Sequence, residues 1–254
     1  MIPKKIHFVW LGKGKYTPSV RRCIDSWKRC MPDFEIKCWN EDNFDLDSVT
    51  WVKEAISKKK WSLASDYIRH YAIYTEGGIY MDTDVLTFKS FTPFLKYDFF
   101  TAVEHHPKIY TADNQNKIKS DGMPERPDEP VKGFALLAAC FGASKGNPYI
   151  KECMDFFGER HYIREDGSLF EDIINPDIMA MLLTKRGFRY RDENQMLDNN
   201  FAVFNSSVFA SEDTRNKDSF AVHWCDNSWT TDRLNWKGKL AAYARTHFFY
   251  LFRH

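Results

Sequence analysis

The sequence lacks several features that mark specialised classes of protein. None of its six cysteines forms a C-x-x-C pair, which argues against a structural zinc site. No apolar run reaches the roughly 18 residues that a membrane-spanning helix needs, and no signal peptide, internal repeat or low-complexity segment is visible. The formal net charge of only +1 argues against nucleic acid as a partner. These absences predict a cytoplasmic protein whose thiols are reduced.

What the sequence does contain is typical of a globular protein with a substantial core. Its 254 residues are 43% hydrophobic and 28% charged, which together predict a single main domain. Aromatic residues make up 16% of the chain, a high share. We assign most of these rings to the core, and the alternative is that some line a site for flat or sugar-like ligands.

Strand-like and helix-like segments alternate along the first half of the chain. This alternation predicts an α/β fold with a mostly parallel central sheet flanked by helices. Residues 105–132, rich in Pro, Asp, Lys and Asn, are predicted to form a long loop or lid. The predicted strands are 6–11, 34–38, 79–81, 99–103 and 134–143, and the predicted helices are 18–31, 63–74, 148–157 and 176–185.

The most informative stretch is an amphipathic helix that ends at the diglycine Gly77-Gly78 and continues into a short apolar strand. Asp82 and Asp84 follow that strand and are two residues apart, so they would point the same way if the strand period persisted. Two carboxylates in that arrangement are suited to share a divalent cation with a phosphate. Asp66 and Arg69 lie one turn apart on the preceding helix, and the alternative reading of these two is an exposed surface ion pair.

These residues carry a resemblance to a known family. The sequence resembles the sugar-nucleotide glycosyltransferases of the DXD type, in particular the family 32 group of capsular-polysaccharide and yeast mannosyltransferase-like enzymes. It is similar, more distantly, to the glucosyltransferase domain of large clostridial toxins. The matching segments are 2–12, 64–69 and 77–85, with looser matches at Asn175-Pro176-Asp177, His223-Trp224 and Ser228-Trp229.

The resemblance implies a GT-A fold, a nucleotide-sugar donor, a Mn²⁺ or Mg²⁺ ion, and retention of the anomeric configuration. Trp10 matches the aromatic residue that stacks on the base of the nucleotide. Ser65 and Asp66 match the segment that contacts the ribose or the donor sugar. Arg69 matches a basic residue near the sugar and the phosphates, and Asp82 matches a carboxylate that faces the ribose and the sugar.

The same resemblance implies a metal site and a closing segment. Asp84 matches the carboxylate that binds the metal directly, and His223 is a candidate third ligand, with a buried core histidine as its alternative. Ser228 and Trp229 resemble a segment that closes over the diphosphate. The chain departs from the family where relatives often have Gly in place of Asn175 and a second His in place of Trp224.

These matches define an expected reaction. A cation held beside Asp82 and Asp84 would offset the charge that grows on the leaving diphosphate, with Arg69 and Trp229 as further donors. In a retaining reaction the leaving phosphate can take the proton of the acceptor, so we assign no protein base. The only candidates that we name for such a base are Glu104, Glu171 and Asp172.

The resemblance also implies the partners. We expect transfer of a hexose from a nucleotide sugar to a glycan or lipid-linked saccharide in bacterial surface polysaccharide synthesis. A UDP-sugar is favoured by the residues around Trp10, and a GDP-sugar remains open. Residues 1–234 are assigned to the GT-A-like domain. Residues 235–254, where aromatic and basic residues interleave, are expected to form a helical tail that contacts a membrane or packs on the core.

Two other functions fit parts of the sequence. The run from Asp82 to Val85 also fits the nucleophile loop of haloacid-dehalogenase-like phosphatases, in which Asp82 would be the nucleophile and Asp84 the acid and base. That function would leave Trp10 and Arg69 without a role. The second alternative is an aromatic-rich carbohydrate-binding protein without turnover.

Overall fold

A mixed sheet lies at the centre of the computed structural model, which describes residues 1–106 and 109–224. The strands are β1 (Lys5–Val9), β2 (Glu35–Trp39), β3 (Gly78–Met81), β4 (Val85–Thr87), β5 (Phe99–His105), β6 (Phe134–Leu136), β7 (Cys140–Ala143), β8 (Gln195–Leu197), β9 (Phe201–Phe204), β10 (Phe209–Ser211) and β11 (Ala221–His223). The large sheet has the order β2-β1-β3-β7-β5-β9-β8, and β6 also pairs with β5. A small second sheet has the order β10-β11-β4.

Helices cover both faces of the large sheet. They are α1 (Pro18–Cys30), α2 (Thr50–Ser57), α3 (Trp61–Glu76), α4 (Ala112–Gln115), α5 (Pro148–Gly158) and α6 (Asn175–Thr184). One apolar core joins the sheet to α2, α3, α5 and α6, and a second joins the other face to α1 and the small sheet. The predicted α/β class, with a central sheet flanked by helices, is confirmed. Two predicted helix starts are also confirmed, since Thr17 caps α1 and Asn147 caps α5.

The prediction of a mostly parallel sheet needs a correction. β1, β2 and β3 pair in parallel, as do β5 and β9. However, β7 runs antiparallel between β3 and β5, and β6 and β8 run antiparallel to their partners. The apolar run 134–143 forms two short strands, β6 and β7. Because β6 returns antiparallel along β5, no crossover helix is needed there and the sheet becomes mixed.

The diglycine brings the end of α3 unusually close to β1. Gly77 has a φ of 68° and ends the helix, and Gly78 has a φ of 119°. A Cβ atom on Gly78 would lie 2.6 Å from the carbonyl oxygen of Lys5. Only glycine tolerates both the backbone angle and this approach. The pair therefore sets β3 directly beside β1 and fixes where the carboxylates emerge.

The small sheet joins two distant parts of the sequence. β4 begins immediately after Asp84, and β11 pairs with it antiparallel in a register that sets His223 opposite Val85. The indole of Trp27 on α1 donates a hydrogen bond to the carbonyl oxygen of Val85, 2.7 Å away. This packing holds the turn that carries Asp84 against the strand that carries His223.

Two further predictions concern cysteines and membranes. In the described part of the chain Cys23, Cys30, Cys38, Cys140 and Cys153 are free thiols, as predicted. Among helices of residues 1–106 and 109–224, none combines the length and the apolar character that crossing a bilayer requires. The predicted tail, residues 235–254, lies outside the described residues.

Candidate active site

Asp82, Asp84 and His223 converge at the end of β3. One potential ligand atom from each of the three residues lies within 4.8 Å of the others. The strand period does not extend to the carboxylates, because β3 ends at Met81 and a turn follows in which the Val85 N–H donates to the Asp82 carbonyl, 3.0 Å away. The expected convergence of the two carboxylates is present, but the turn and the small sheet produce it.

The chemistry and spacing of this cluster suit a divalent cation. Two carboxylate oxygens and one imidazole nitrogen form a donor set that Mn²⁺ accepts. His223 Nε2 lies 3.4 Å from Asp84 Oδ1. Adjacent ligands of an octahedral ion bound at about 2.1 Å are about 3 Å apart, so a small closure would complete the geometry. The residues present therefore fit the implied metal.

Glu104, near the end of β5, lies beside this cluster. Its Oε1 is 3.8 Å from His223 Nδ1 and 3.4 Å from His106 Nε2. Burial acts to raise the pKa of Glu104, but hydrogen bonds from His106 and His223 outweigh it and lower that pKa to about 2. A carboxylate of such low pKa is a weak base. Its geometry suits holding His223 in orientation, with Nε2 turned to Asp84.

Arg69 forms the buried centre of the site on the α3 side. Its guanidinium lies 3.1 Å from the Asp66 carboxylate and 3.5 Å from that of Asp82. It also donates to Ser65 Oγ at 3.0 Å and to the Ala138 carbonyl at 2.8 Å. The side chains of Arg69 and Asp66 are only 7% and 12% exposed, which excludes the alternative of a surface ion pair. One cation thus fixes two carboxylates and a hydroxyl.

Asn175, at the start of α6, influences the ionisation of Asp66. Burial raises the pKa of Asp66 to about 6, although Arg69 and the side-chain amide of Asn175 act to lower it. The other end of that amide, Oδ1, is 2.9 Å from His70 Nε2. Burial lowers the pKa of His70 to about 3, so the ring is neutral and donates this hydrogen bond. Asn175, known from sequence only as a loose match, is therefore positioned by His70.

The carboxylate of Asp82 contacts Tyr80, on the preceding strand, and Arg69. The Tyr80 hydroxyl donates to Asp82 Oδ1 at 2.7 Å, and the Tyr80 ring lies 4.7 Å below the Arg69 guanidinium. Burial raises the pKa of Asp82, and the guanidinium of Arg69 opposes that shift. The contact with Tyr80 was not predicted, and the alternation of an aromatic with a carboxylate at the strand end is the signal that could have suggested it.

Trp10 lies at the same edge of the sheet as the carboxylates. The parallel register sets His7 beside Tyr80, and continuing it by two residues sets Val9 level with Asp82. The Trp10 indole donates to the Gly14 carbonyl at 2.7 Å and packs edge-on against Tyr16. It lines a surface pocket of about 450 Å³ together with Lys13, Arg21 and Asn40, among others. The pocket could accept a flat ring.

The remaining predicted residues are Ser228, Trp229, Glu171 and Asp172. Ser228 and Trp229 lie outside the described residues. Glu171 accepts hydrogen bonds from Lys60 and Tyr162, and Asp172 pairs with Arg164. As candidate bases these last two carboxylates are therefore disfavoured, since both are already bonded to neighbours.

Asp177, on the first turn of α6, makes the folding stability of the protein depend on pH. Burial and the nearby Glu104 raise its pKa to about 7, while Lys132 opposes the shift. The folded state then binds this proton more tightly than the unfolded chain, so stability falls as pH rises from about 4 through 7. We expect Asp177→Asn to match the wild type at pH 4 and to be about 2 kcal/mol more stable at pH 8. This figure is half of the free energy that corresponds to the full pKa shift, because the structure relaxes around the charge.

Urea unfolding at both pH values measures this difference. Asp128→Asn, at an exposed position, serves as the matched control and should leave the pH profile unchanged. An Asp177→Asn protein with the same pH profile as the wild type would contradict the assignment.

The family comparison matches the segment that carries the carboxylates. Residues 17–101 match the family model described as "Glycosyltransferase sugar-binding region containing DXD motif". The predicted resemblance to DXD-type glycosyltransferases is confirmed. The matched segment includes Asp66, Arg69, Asp82 and Asp84, and it covers about a third of the chain.

One curated relative and two solved structures are similar to this chain at low sequence identity. Inositol phosphoceramide mannosyltransferase 3 of Schizosaccharomyces pombe is 28% identical over 103 residues, which are 38% of this chain and 28% of that protein. PaToxG glycosyltransferase is 18% identical, with 72% of this chain and 69% of that chain covered and a TM-score of 0.47. The galactosyltransferase LgtC, solved with donor and acceptor sugar analogues, is 12% identical, with 93% of each chain covered and a TM-score of 0.49. The two structural likenesses are remote, and neither adds to what the site's own geometry indicates.

Proposed function

We propose that the protein is a metal-dependent, retaining glycosyltransferase that moves a hexose from a nucleotide sugar, with a UDP-sugar favoured, to a glycan or lipid-linked saccharide. The observation that carries this proposal is the convergence of Asp82, Asp84 and His223 next to the buried Arg69. The family match over residues 17–101 supports the same class of activity. We include bacterial surface polysaccharide synthesis on the strength of the sequence resemblance, and membrane contact by residues 235–254 because aromatic and basic residues interleave there.

The arrangement suits the departure of a nucleoside diphosphate. Carboxylates alone would repel a phosphate, and a bound Mn²⁺ or Mg²⁺ would supply the positive charge that stabilises the leaving group. Asp84 and His223 would hold that ion, while Asp82 remains fixed by Tyr80 and Arg69. Arg69 is itself held by Ser65 and Asp66, so its charge is preorganised where negative charge develops.

The phosphatase alternative fits this geometry less well. A nucleophilic aspartate must approach a phosphorus atom with a free carboxylate oxygen. In this protein one Asp82 oxygen accepts from Tyr80, and the other lies 3.5 Å from Arg69. The Asp82 carboxylate is therefore held by two neighbours, which restricts the free approach that attack on phosphorus needs and supports a positioning role for Asp82.

Nucleotide-sugar binding provides the direct test. With 1 mM Mn²⁺, one member of a panel of UDP- and GDP-sugars should raise the melting temperature by about 5 °C at saturating concentration, because ligands that bind only the folded state stabilise it by about 2 to 3 kcal/mol at 100 times Kd. EDTA should remove the shift. Release of UDP or GDP from the same compound separates a transferase from a binding protein without turnover, and absence of any cation-dependent shift across the panel would refute the proposal.

A further inference from the structure

Two exposed loops that are rich in lysine meet beside the Trp10 pocket. Their four exposed lysines, which we call the basic edge, are Lys13, Lys15, Lys58 and Lys59. The first two follow β1, and the other two lie between α2 and α3. The loops touch, because the Trp61 ring lies 3.6 Å from the position that a Cβ atom on Gly12 would take. The four lysines therefore belong to one side of the molecule.

The positive charge of the basic edge is not neutralised within the described part of the chain. No lysine of the basic edge forms an ion pair there, whereas Lys53 and Lys60, on either side of the second loop, are paired with carboxylates. The acidic residues of the adjoining pocket are Glu41 and Asp42, which offset at most half of the four charges. Like charges on touching loops repel one another, and an anionic partner would convert that repulsion into attraction.

The backbone of both loops is unusual at a lysine. Lys13 has a φ of 56° and Lys59 a φ of 57°, in the left-handed region that favours glycine and asparagine. The other non-glycine residues of the described chain with a positive φ are Asn199 and Asn200, which tolerate it well. Lysine thus occupies two positions where another residue would be less strained. Strain of this kind is typical of functional surfaces, which favours a role for the charge.

Aromatic rings accompany the lysines. Trp10, Tyr16 and Trp61 lie in the same two loops or at their ends, and all three are half-buried. Tryptophan and tyrosine beside lysine are typical of surfaces that meet lipid headgroups, where the ring lies at the boundary and the ammonium group meets phosphate. A soluble polyanion is less favoured, because the net charge of only +1 provides little long-range attraction.

The basic edge lies on the same side of the large sheet as the carboxylates. The loop of Lys13 follows the carboxyl end of β1, and β3, parallel to β1, delivers Asp82 at its own carboxyl end. Helix α3 begins at Trp61 and ends just before β3 starts, so its first turn also lies at that edge. A flat partner in contact with the lysines would therefore face the edge from which the site opens.

We infer that the basic edge binds the surface of an anionic lipid bilayer, with the carboxyl edge of the large sheet turned toward that surface. This contact is separate from any made by residues 235–254. It is also independent of the proposed function, because it needs neither a cation nor a nucleotide sugar. Each ammonium group near an anionic bilayer adds about 1 kcal/mol of attraction, so four of them together are sufficient for reversible binding.

Vesicle binding by the full chain tests the inference. The wild type should bind vesicles of phosphatidylcholine and phosphatidylglycerol more tightly than vesicles of phosphatidylcholine alone, and raised ionic strength should weaken the difference. Changing all four lysines of the basic edge to glutamate should weaken binding to the anionic vesicles by at least about tenfold. Cosedimentation over a range of lipid concentrations measures both effects, and residues 235–254 are present in every protein compared.

A charge-matched control separates a local surface from a general effect of net charge. It carries the same lysine-to-glutamate change at four other exposed positions, and it should bind as tightly as the wild type. Those positions are Lys119, Lys145, Lys185 and Lys217. Unfolding midpoints show that both variants are folded.

Three results would overturn the inference. The first is equal binding by the two variants, which would assign the contact to another part of the chain. The second is no preference of the wild type for anionic vesicles. The third is binding of a single-stranded oligonucleotide, lost on changing the basic edge, by a protein that does not bind vesicles. The proposed function fails separately, through the absence of a Mn²⁺-dependent thermal shift with any nucleotide sugar, a measurement made without lipid.

Discussion

Replacing Asp84 by alanine should abolish sugar transfer and the cation-dependent part of donor binding. Asp84 is one of three residues whose ligand atoms converge, and it lies 3.4 Å from His223 Nε2. Without it the remaining carboxylate, Asp82, is turned toward Tyr80 and Arg69. We expect a loss of at least about 10³-fold in kcat/KM, comparable to removing a principal electrostatic contact to developing charge.

Initial rates of UDP or GDP release and Mn²⁺-dependent thermal shifts measure this effect. Asp128→Ala, which removes an exposed carboxylate far along the chain, is the matched control and should leave both readouts unchanged. The unfolding midpoint without cation distinguishes a lost ligand from a damaged fold. Full activity of Asp84→Ala in the presence of EDTA would contradict the assignment of Asp84 as a metal ligand.

Replacing Arg69 by methionine should have the largest effect on stability. Arg69 is buried between Asp66 and Asp82, and its removal leaves one buried and one largely buried carboxylate without their cation. Breaking a buried ion pair by removing one partner typically costs about 3 to 5 kcal/mol. Arg69→Lys should retain part of this stability, because it keeps the charge but loses the fork that reaches Ser65 and Ala138.

Urea unfolding of single and double variants isolates the cause. Adding Asp66→Asn to Arg69→Met should recover about 1 to 2 kcal/mol, since one unpaired charge is then removed. Arg164→Met, which breaks the more exposed pair with Asp172, is the comparison and should cost less than about 1 kcal/mol. If Arg69→Met costs no more than Arg164→Met, the buried cluster does not hold the site together.

Sequence patterns were sufficient where one local signal decides the structure. The cap and proline at 17–18 predicted the start of α1, and the diglycine predicted the end of α3 and the strand after it. The motif around Asp66, Arg69 and Asp82 identified side chains that the structure brings together. Spacing within one helix or turn decides the first two cases and the Asp66–Arg69 pair, whereas the contact between Arg69 on α3 and Asp82 after β3 was expected from the family resemblance.

Features that depend on distant pairing could not be predicted in the same way. Strands β4, β10 and β11 have three residues each, too few for a periodic signal, yet they set His223 beside Asp84. The direction of β7 depends on how its connection returns, which composition does not encode. The role of Asn175 depends on contacts with α3, more than a hundred residues earlier in the chain.

The small sheet also has a consequence for how the protein folds and unfolds. Asp84 and His223 become neighbours only when β11 has paired with β4, across most of the length of the chain. Contacts between such distant segments carry a high entropic cost and tend to form late. A cation bound at that point would stabilise an interaction absent from the folding transition state. It would therefore extend the lifetime of the folded protein while leaving the folding rate almost unchanged.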